Sequence, residues 1–317
     1  MFHDYNHIIS LPNLYQAWRE FVRGKKYKKD VAEFALNLST NIYQLHHDLT
    51  TKTYTHSGYY AFNISDPKPR NIHKASVRDR LLHHALYRSL YWHFNQKFIY
   101  DSYSCRLGKG THKALNRFKQ FSYKASRNHT KTLWVLKCDV KKFFASIDQE
   151  ILLKILEKHL TDPDTLNLLK TVIHSFPHGL PLGNLTSQLL VNVYMNEFDQ
   201  FMKHALKVKY YLRYADDFVI MSPDKLFLEN LLLEIKDFLE AKLKLNLHPN
   251  KIFLKTLASG VDFLGWVHFP NHRVLRTVTK RRMFEKIKDN PKPETVQSYL
   301  GLLQHGNTHK LQKLVLQ

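Results

Sequence analysis

Two adjacent carboxylates, Asp216 and Asp217, lie between apolar stretches of a 317-residue chain, and no other two acidic residues in it are adjacent. Neighbouring carboxylates in apolar surroundings repel each other and lose hydration, so they favour a bound cation. Mg²⁺ is the ion that takes carboxylate oxygens together with substrate phosphates. The pair therefore indicates phosphoryl or nucleotidyl transfer.

A third carboxylate is needed for that chemistry. Two-metal nucleotidyl transfer requires carboxylates that converge on two cations about 3.5–4 Å apart. Neighbours along a strand point to opposite faces, so Asp216 and Asp217 need a partner from an adjacent strand. Asp139 is the candidate because it ends the apolar run 133–138. Taken alone, such an aspartate is more often a cap or turn residue, but the Asp216 pair favours the metal role.

The elements expected around these carboxylates are strands and amphipathic helices. A hairpin of 207–214 and 217–221 places Asp216 in its turn. Ser146 followed by Gln149 has the form of a capping box and predicts a helix through 151–156, whereas Asp162-Pro163 indicates a loop. Further strands are predicted at 58–62, at 70–74 and within 260–269, and further helices at 76–98, 188–205, 224–243, 278–288, 293–303 and 310–316.

The composition favours polyanionic partners. Lys and Arg outnumber Asp and Glu 48 to 27, which gives a formal net charge of +21. The two cysteines, Cys105 and Cys138, form no CxxC pattern, which argues against a disulfide framework or a zinc ribbon and fits a reducing compartment. Neither a signal-peptide pattern nor a run of 18 apolar residues occurs, so we expect a cytoplasmic protein without a membrane partner.

Four ordered sequence blocks resemble the palm of reverse transcriptases. In chain order they are Asp139-(x)₄-Phe144, Gly179-Leu180-Pro181-Leu182-Gly183-Asn184-Leu185-Thr186-Ser187-Gln188, Tyr214-Ala215-Asp216-Asp217 and Phe263-Leu264-Gly265-Trp266. Upstream, the segments 68–72, 78–80 and 104–110 are similar to fingers blocks, especially those of group II intron-type enzymes. The resemblance covers about residues 55–270 and is far more specific than a lone Tyr-x-Asp-Asp motif.

The resemblance implies an α+β fold and a division into domains. The expected architecture is a right-hand polymerase whose palm is an antiparallel sheet packed on helices. The expected division is an N-terminal helical extension at 1–55, fingers at 56–135, a palm at 136–270 that shares 160–187 with the fingers, and a small basic helical thumb at 271–317.

The same resemblance assigns a role to individual residues. Asp139, Asp216 and Asp217 are the expected catalytic residues and would hold two Mg²⁺ ions, or Mn²⁺ as a substitute, with the backbone of Val140. Residues expected to bind the incoming nucleotide are Lys68, Arg70, Phe144, Leu182, Gln188 and Lys251. Residues expected to bind nucleic acid are Arg78, Arg80, Arg106, Tyr214, Arg276, Lys280, Arg281 and Arg282.

Two of these nucleotide-binding assignments have a plain structural alternative. Phe144 matches the aromatic residue that excludes a ribose 2′-hydroxyl, although core packing explains a phenylalanine there equally well. Lys251 matches a lysine near the triphosphate, although it is equally typical of a surface turn before a strand.

Leu182 and Gln188 distinguish subfamilies. Most reverse transcriptases have Gln before the Gly183 position and Pro after the Ser187 position. An aliphatic residue followed by GxxxSQ resembles the reverse transcriptases of diversity-generating retroelements, which misincorporate opposite template adenines. Replacing an oriented Gln by Leu removes polar contacts worth about 1–3 kcal/mol of discrimination. A hydrophobic neighbour of Pro181 with no role in fidelity is the alternative for Leu182.

The resemblance therefore implies an RNA-dependent DNA polymerase that makes adenine-mutagenised cDNA. Its expected partners are a template RNA, a cDNA or RNA primer, dNTPs and a small basic pentameric helical accessory protein, in a prokaryotic or phage-encoded setting. Alternatives are a retron, group II-like or phage-defence reverse transcriptase, or a catalytically inactive RNA-binding relic. A metal-dependent nuclease would need a further Glu/His constellation, which the sequence lacks.

Overall fold

The structure, a computed structural model, describes residues 4–65 and 69–316. Its helices are α1 (Tyr5–Ile9), α2 (Leu11–Phe21), α3 (Lys29–Leu36), α4 (Leu38–Thr50), α5 (Val77–Asn95), α6 (Thr111–Ala125), α7 (Phe143–Ser146), α8 (Gln149–Glu157), α9 (Pro163–His174), α10 (Leu185–Gln200), α11 (Lys225–Leu243), α12 (Thr277–Asp289), α13 (Pro293–Leu303) and α14 (His309–Leu316). Its strands are β1 (Tyr59–Ile64), β2 (Arg70–Ala75), β3 (Trp134–Asp139), β4 (Tyr211–Tyr214), β5 (Asp217–Ser222), β6 (Phe253–Thr256), β7 (Val261–Phe263), β8 (Trp266–His268) and β9 (Arg273–Leu275).

The chain divides into two compact units, each assembled from three separate segments. The first unit comprises Met1–Tyr100, Lys141–Phe201 and Phe238–Asn246, and the second comprises Asp101–Val140, Met202–Asp237 and Leu247–Gln317. Neither unit follows the boundaries expected for fingers, palm and thumb, and those domain names remain predictions.

The first unit is mainly helical. α5 packs against α2 and α10, and its Leu81, Leu82 and Leu86 side chains are fully buried. Ser76 begins α5 by accepting a hydrogen bond from the Asp79 backbone N–H, which satisfies one of the free amides of the first turn. The hairpin of β1 and β2 belongs to this unit, with Tyr59 opposite Ala75.

The second unit contains an antiparallel sheet in the order β4-β5-β3-β6. The two central strands are apolar along most of their length, and Leu136, Val219 and Ile220 are fully buried. Both of their faces are therefore covered, and α6 packs against β4 and β5. This buried core holds the ends of β3 and β5 in register.

A second sheet of this unit has the order β7-β8-β9 and shares a core with the C-terminal helices. Trp266 on β8 is 1% exposed and packs with Leu303 and Val315. A Cβ added at Gly306 would come within 2.0 Å of the Trp266 ring, so the chain approaches the indole as closely as a glycine allows.

The structure confirms most of the predicted elements and corrects two of them. The hairpin around Asp216, the helix after Ser76 and the three C-terminal helices form as predicted. Ser146, however, ends α7, and Asp148 caps α8 by accepting from the Ile151 N–H at 2.9 Å. Asp162-Pro163 does not continue a loop but begins α9, because Asp162 accepts from the Asp164 N–H and proline occupies the first turn.

Some elements were not predicted at all. These are the helix α6 and the short strands β6 and β9. The signal for α6 was present, because Leu115, Phe118 and Ala125 recur at helical spacing and are buried on one face, whereas β6 and β9 have only four and three residues. Across the described residues, no helix has both the length and the hydropathy that crossing a bilayer requires.

Candidate active site

The carboxylates predicted to act together lie at one end of the four-stranded sheet. Asp139 is the last residue of β3 and Asp217 the first of β5, and these two residues are direct Cα partners in the antiparallel register. Ala215 and Asp216 form the turn that joins β4 to β5, and Ala215 adopts a left-handed φ of 55°. The Val140 N–H donates to the Asp216 carbonyl at 3.1 Å, which ties the turn to the end of β3.

Two lysines neutralise these carboxylates. The Lys251 Nζ lies 2.7 Å from the Asp139 Oδ1, and the Lys137 Nζ lies 3.3 Å from the Asp217 Oδ2. Lys251 reaches the site because its 3₁₀ turn, Pro249–Lys251, follows His248, whose N–H donates to the Asp139 carbonyl at 2.8 Å. Sequence reasoning named Lys251 but missed Lys137. Lys137 could have been predicted, because side chains two residues apart on a strand lie on the same face, and Lys137 precedes Asp139 by two residues on β3.

Asp217 is held in an electrostatically unfavourable position. Burial raises its pKa to about 7, and the charges of Asp139 and Asp216 add to the rise, while Lys137 opposes it. Its Oδ1 atom is buried and has no hydrogen-bond partner among the described residues. A buried carboxylate oxygen without a donor favours a cation.

The donor chemistry of this site fits a hard divalent cation. Asp139 and Asp217 supply carboxylate oxygens from adjacent strands, and one buried oxygen of Asp217 is unsatisfied. In the part of the chain that the structure describes, no three His, Cys, Asp or Glu side chains form a ready ligand cluster. The charges of Asp139 and Asp217 are balanced by the ammonium groups of Lys251 and Lys137.

Cys138 lies between these groups but is not a candidate nucleophile. The thiol is fully buried, and burial raises its pKa to about 12, with the charge of Asp217 adding to the rise. The thiolate, which is the reactive form, is therefore not populated at neutral pH.

The other predicted residues of the second unit lie on several different elements. Tyr214 ends β4, and its hydroxyl accepts from the Thr111 Oγ1 at 3.1 Å. Arg106 donates to the Ser102 carbonyl at 3.0 Å, and Arg276 pairs with Asp262 at 2.8 Å just before α12. Lys280 and Arg281 are exposed on α12, where Arg282 is half-buried.

In the first unit, the block 179–188 packs against two other predicted segments. The His73 N–H on β2 donates to the Leu182 carbonyl at 2.9 Å, and the Leu180 N–H donates to the Phe144 carbonyl at 2.8 Å. A Cβ added at Gly179 would lie 2.3 Å from that Phe144 carbonyl oxygen, so only glycine permits the approach. Backbone hydrogen bonds therefore hold Phe144 and the β2 residue His73 against the block that contains Leu182.

The remaining predicted residues of the first unit are placed as follows. Arg70 begins β2 and is exposed, Gln188 is half-buried on α10, and Lys68 lies outside the described residues. Arg78 forms an ion pair with Asp48 at 2.6 Å, and Arg80 pairs with Asp30. Sequence reasoning missed these two partners, which lie in the N-terminal helices.

A family model for reverse transcriptase (RNA-dependent DNA polymerase) matches residues 65–268, more than half of the chain. The chain belongs to the reverse transcriptase family. Among curated proteins, this reverse transcriptase is 26% identical over 254 residues to Protein YkfC of Escherichia coli (strain K12). The matched region covers 67% of this chain and 65% of YkfC. It is 19% identical over 263 residues to the putative COX1/OXI3 intron 2 protein of Saccharomyces cerevisiae. That match covers 62% of this chain and 30% of the yeast protein.

Solved structures with the same fold include two telomerases. Telomerase from Candida albicans, solved with a TWJ fragment of telomeric RNA, superimposes with a TM-score of 0.53 at 11% identity and covers 78% of this chain and 54% of that one. A Candida tropicalis telomerase truncated from its C-terminal domain gives a TM-score of 0.51 at 12% identity, over 74% of this chain and 59% of that one. These likenesses confirm the predicted α+β polymerase fold.

Proposed function

We propose that this reverse transcriptase is an active RNA-directed DNA polymerase whose reaction centre comprises Asp139, Asp216 and Asp217. The observation that carries the proposal is the direct pairing of Asp139 with Asp217 across β3 and β5, with Asp216 in the adjoining turn. Bound Mg²⁺ would activate the primer 3′-oxygen and stabilise the charge on the phosphates during nucleotidyl transfer. Asp139, Asp216 and Asp217, with the Val140 backbone, are the groups proposed to hold it.

Lys251 has a proposed role in binding the nucleotide. Its ammonium neutralises Asp139 before substrate arrives, and its side chain is 40% exposed on a short turn. A lysine is a compact point charge on a flexible stem, so it can move from a carboxylate to a triphosphate oxygen without a change in the backbone. Bound Mg²⁺ would then neutralise Asp139 in place of the lysine while the incoming nucleotide becomes oriented.

We further propose that the enzyme belongs to a diversity-generating retroelement and makes adenine-mutagenised cDNA in a prokaryotic cytoplasm. Leu182 in place of a glutamine, together with Gln188, supports this subclass. Template RNA, a primer, dNTPs and a small basic pentameric accessory protein are the proposed partners. The half-buried Leu182 has an aliphatic side chain, so it contributes shape but no hydrogen bond to base selection.

The catalytic proposal is tested by dNTP incorporation on a primed RNA template. Asp216→Ala should abolish incorporation, whereas Asp237→Ala, a matched change of an exposed acid on α11, should leave it intact. Loss in both variants, or synthesis that survives Asp216→Ala, would overturn the catalytic assignment. A wild-type protein that binds RNA but incorporates no dNTP would favour the alternative, a catalytically inactive RNA-binding relic.

The subclass is tested separately by sequencing the cDNA, with and without the accessory protein. Wild-type errors should cluster at template adenines, and Leu182→Gln should reduce them. Errors spread evenly over the four template bases would instead favour a retron, group II-like or phage-defence enzyme.

A further inference from the structure

A cleft in the second unit lies between α6, the turn that joins β8 to β9, and the loop that joins α13 to α14. Its volume of about 400 Å³ is within the range of about 300–1,000 Å³ that is usual for small-molecule sites. The three carboxylates of the candidate active site are not among the described residues that line it. We call this feature the α6 cleft.

Arg273 connects the three walls of the α6 cleft. Its Nε donates to the His305 carbonyl, its Nη2 lies 3.4 Å from the Asn116 Oδ1, and its guanidinium covers the Trp266 ring at 5.7 Å. The Asn307 N–H also donates to the Arg273 carbonyl at 2.8 Å. The walls are therefore fixed to one another before any ligand binds.

The charge of the α6 cleft favours an anion. Of the described residues that line it, none is acidic, and Lys119 and Arg273 have no ion-pair partner among the described residues. Burial lowers the pKa of Arg273, which means that its charge is held at a cost. The Arg273 Nη1 and the His268 Nε2 are buried without a hydrogen-bond partner among the described residues. A phosphate group supplies the acceptor oxygens and the negative charge that such a site lacks.

The rim of the cleft offers an aromatic face beside these cations. The rings of Phe269 and His272 stack with a centroid distance of 4.9 Å and an interplanar angle of 13°. His272 is exposed, so one face of the pair is open to solvent. Unstacked bases bind to such faces, and side-chain amides such as those of Asn116, Gln304 and Asn307 can hydrogen-bond to base edges.

We propose that the α6 cleft binds a single nucleotide, with its base on the Phe269–His272 pair and its phosphate between Lys119 and Arg273. The nucleotide is either a free 5′-monophosphate or one unpaired residue of single-stranded RNA. The cleft is a second nucleotide site, and binding there does not depend on polymerase chemistry. It should therefore persist in the Asp216→Ala protein.

Photocrosslinking with the full-length Asp216→Ala protein tests the proposal. One arm uses 5-iodouridine 5′-monophosphate and the other a ten-nucleotide single-stranded RNA that contains one 5-iodouridine, with crosslinks mapped by peptide mass spectrometry. We expect a crosslink within 268–273 or 116–122, and His272→Ala should lower its yield about fivefold or more. Lys119→Ala should lower the yield as well. The matched controls, His309→Ala and Lys124→Ala, change exposed residues outside the cleft and should leave it unchanged.

The two arms separate the sources of the nucleotide. Crosslinking by both probes supports a free nucleotide as ligand, and crosslinking by RNA alone supports a strand that passes through the cleft. Crosslinks that map elsewhere, or that survive His272→Ala and Lys119→Ala undiminished, overturn the proposal. Competition gives a further test, in which unlabelled RNA, inorganic pyrophosphate or an acidic peptide displaces the crosslinking probe. If pyrophosphate or the peptide displaces the probe as efficiently as RNA does, the proposal is overturned, because neither of them carries a base. A failure in these arms leaves the dNTP-incorporation result for wild type and Asp216→Ala unaffected.

Discussion

Removing the charge of Asp217 should stabilise the metal-free protein. The carboxylate is 18% exposed and its pKa rises from an ordinary value near 3.8 to about 7, a change that already includes the attraction of Lys137. Since each pKa unit corresponds to about 1.4 kcal/mol, keeping Asp217 ionised costs the fold about 4 kcal/mol at most. Asp217→Asn keeps the size of the side chain but removes that cost.

The measurement is urea unfolding of the full chain in EDTA at pH 8.5, where wild-type Asp217 is ionised. We expect the Asn variant to gain stability, up to about 4 kcal/mol, while Asp237→Asn changes it by less than about 0.5 kcal/mol. Because the folded-state pKa is raised, the wild type loses stability as the pH rises from about 4 to about 7. The advantage of the variant should therefore shrink when unfolding is repeated at pH 5.

A different outcome would refute the electrostatic reasoning. If Asp217→Asn unfolds at pH 8.5 at the same urea concentration as wild type, or at a lower one, the ionised carboxylate does not destabilise the fold. An advantage that does not depend on pH would point to packing instead. The same variant should incorporate dNTPs poorly, because the group that destabilises the fold is proposed to serve catalysis.

Other positions give independent tests. Phe144→Ala should admit ribonucleotides while retaining dNTP incorporation, and unchanged sugar selection in a competition assay would leave Phe144 with a packing role. Gly306→Ala should destabilise by about 1–3 kcal/mol in urea, since its Cβ would lie 2.0 Å from the Trp266 ring, whereas Gly301→Ala has open space and should be neutral or stabilising. Burial lowers the pKa of His83 and of His268 to about 3, so the unfolded chain takes up protons first and stability should fall below pH 6.5. A His83→Gln variant with an unchanged dependence of its urea midpoint on pH would contradict this assignment.

The sequence predicts the reaction-centre strands well because their signals are local. An apolar run that ends in Asp139 and a second run that begins at Asp217 specify two buried strands. The turn at Ala215-Asp216 follows from the short gap between the apolar runs on either side. Burial alone does not determine the register, because four consecutive residues of β5, 218–221, are buried and a one-residue slip would only exchange two covered faces.

Features that depend on long-range contacts could not be predicted in the same way. Lys251 reaches Asp139 across 112 residues of chain, and no spacing rule connects them. The strand β6 is only four residues long and exists because β3 offers it a free edge. The wrong cap for α8 has another cause: Ser146 and Asp148 are both good N-cap residues, and only the backbone bend at Ile147 decides between them.

The division of the chain into two interleaved units has a consequence for the order of synthesis. Each unit is built from three segments, so a ribosome makes part of one, then part of the other, with five changes between them. The first unit lacks its last segment until residue 246 has emerged, although its first hundred residues were made long before. At about 5–20 residues per second, the face of α5 that packs against α10 therefore stays uncovered for roughly 5–20 seconds. A basic chain in that condition meets cellular RNA before it has finished folding, and a nascent-chain partner on the α10-facing side of α5 would protect that surface during the delay.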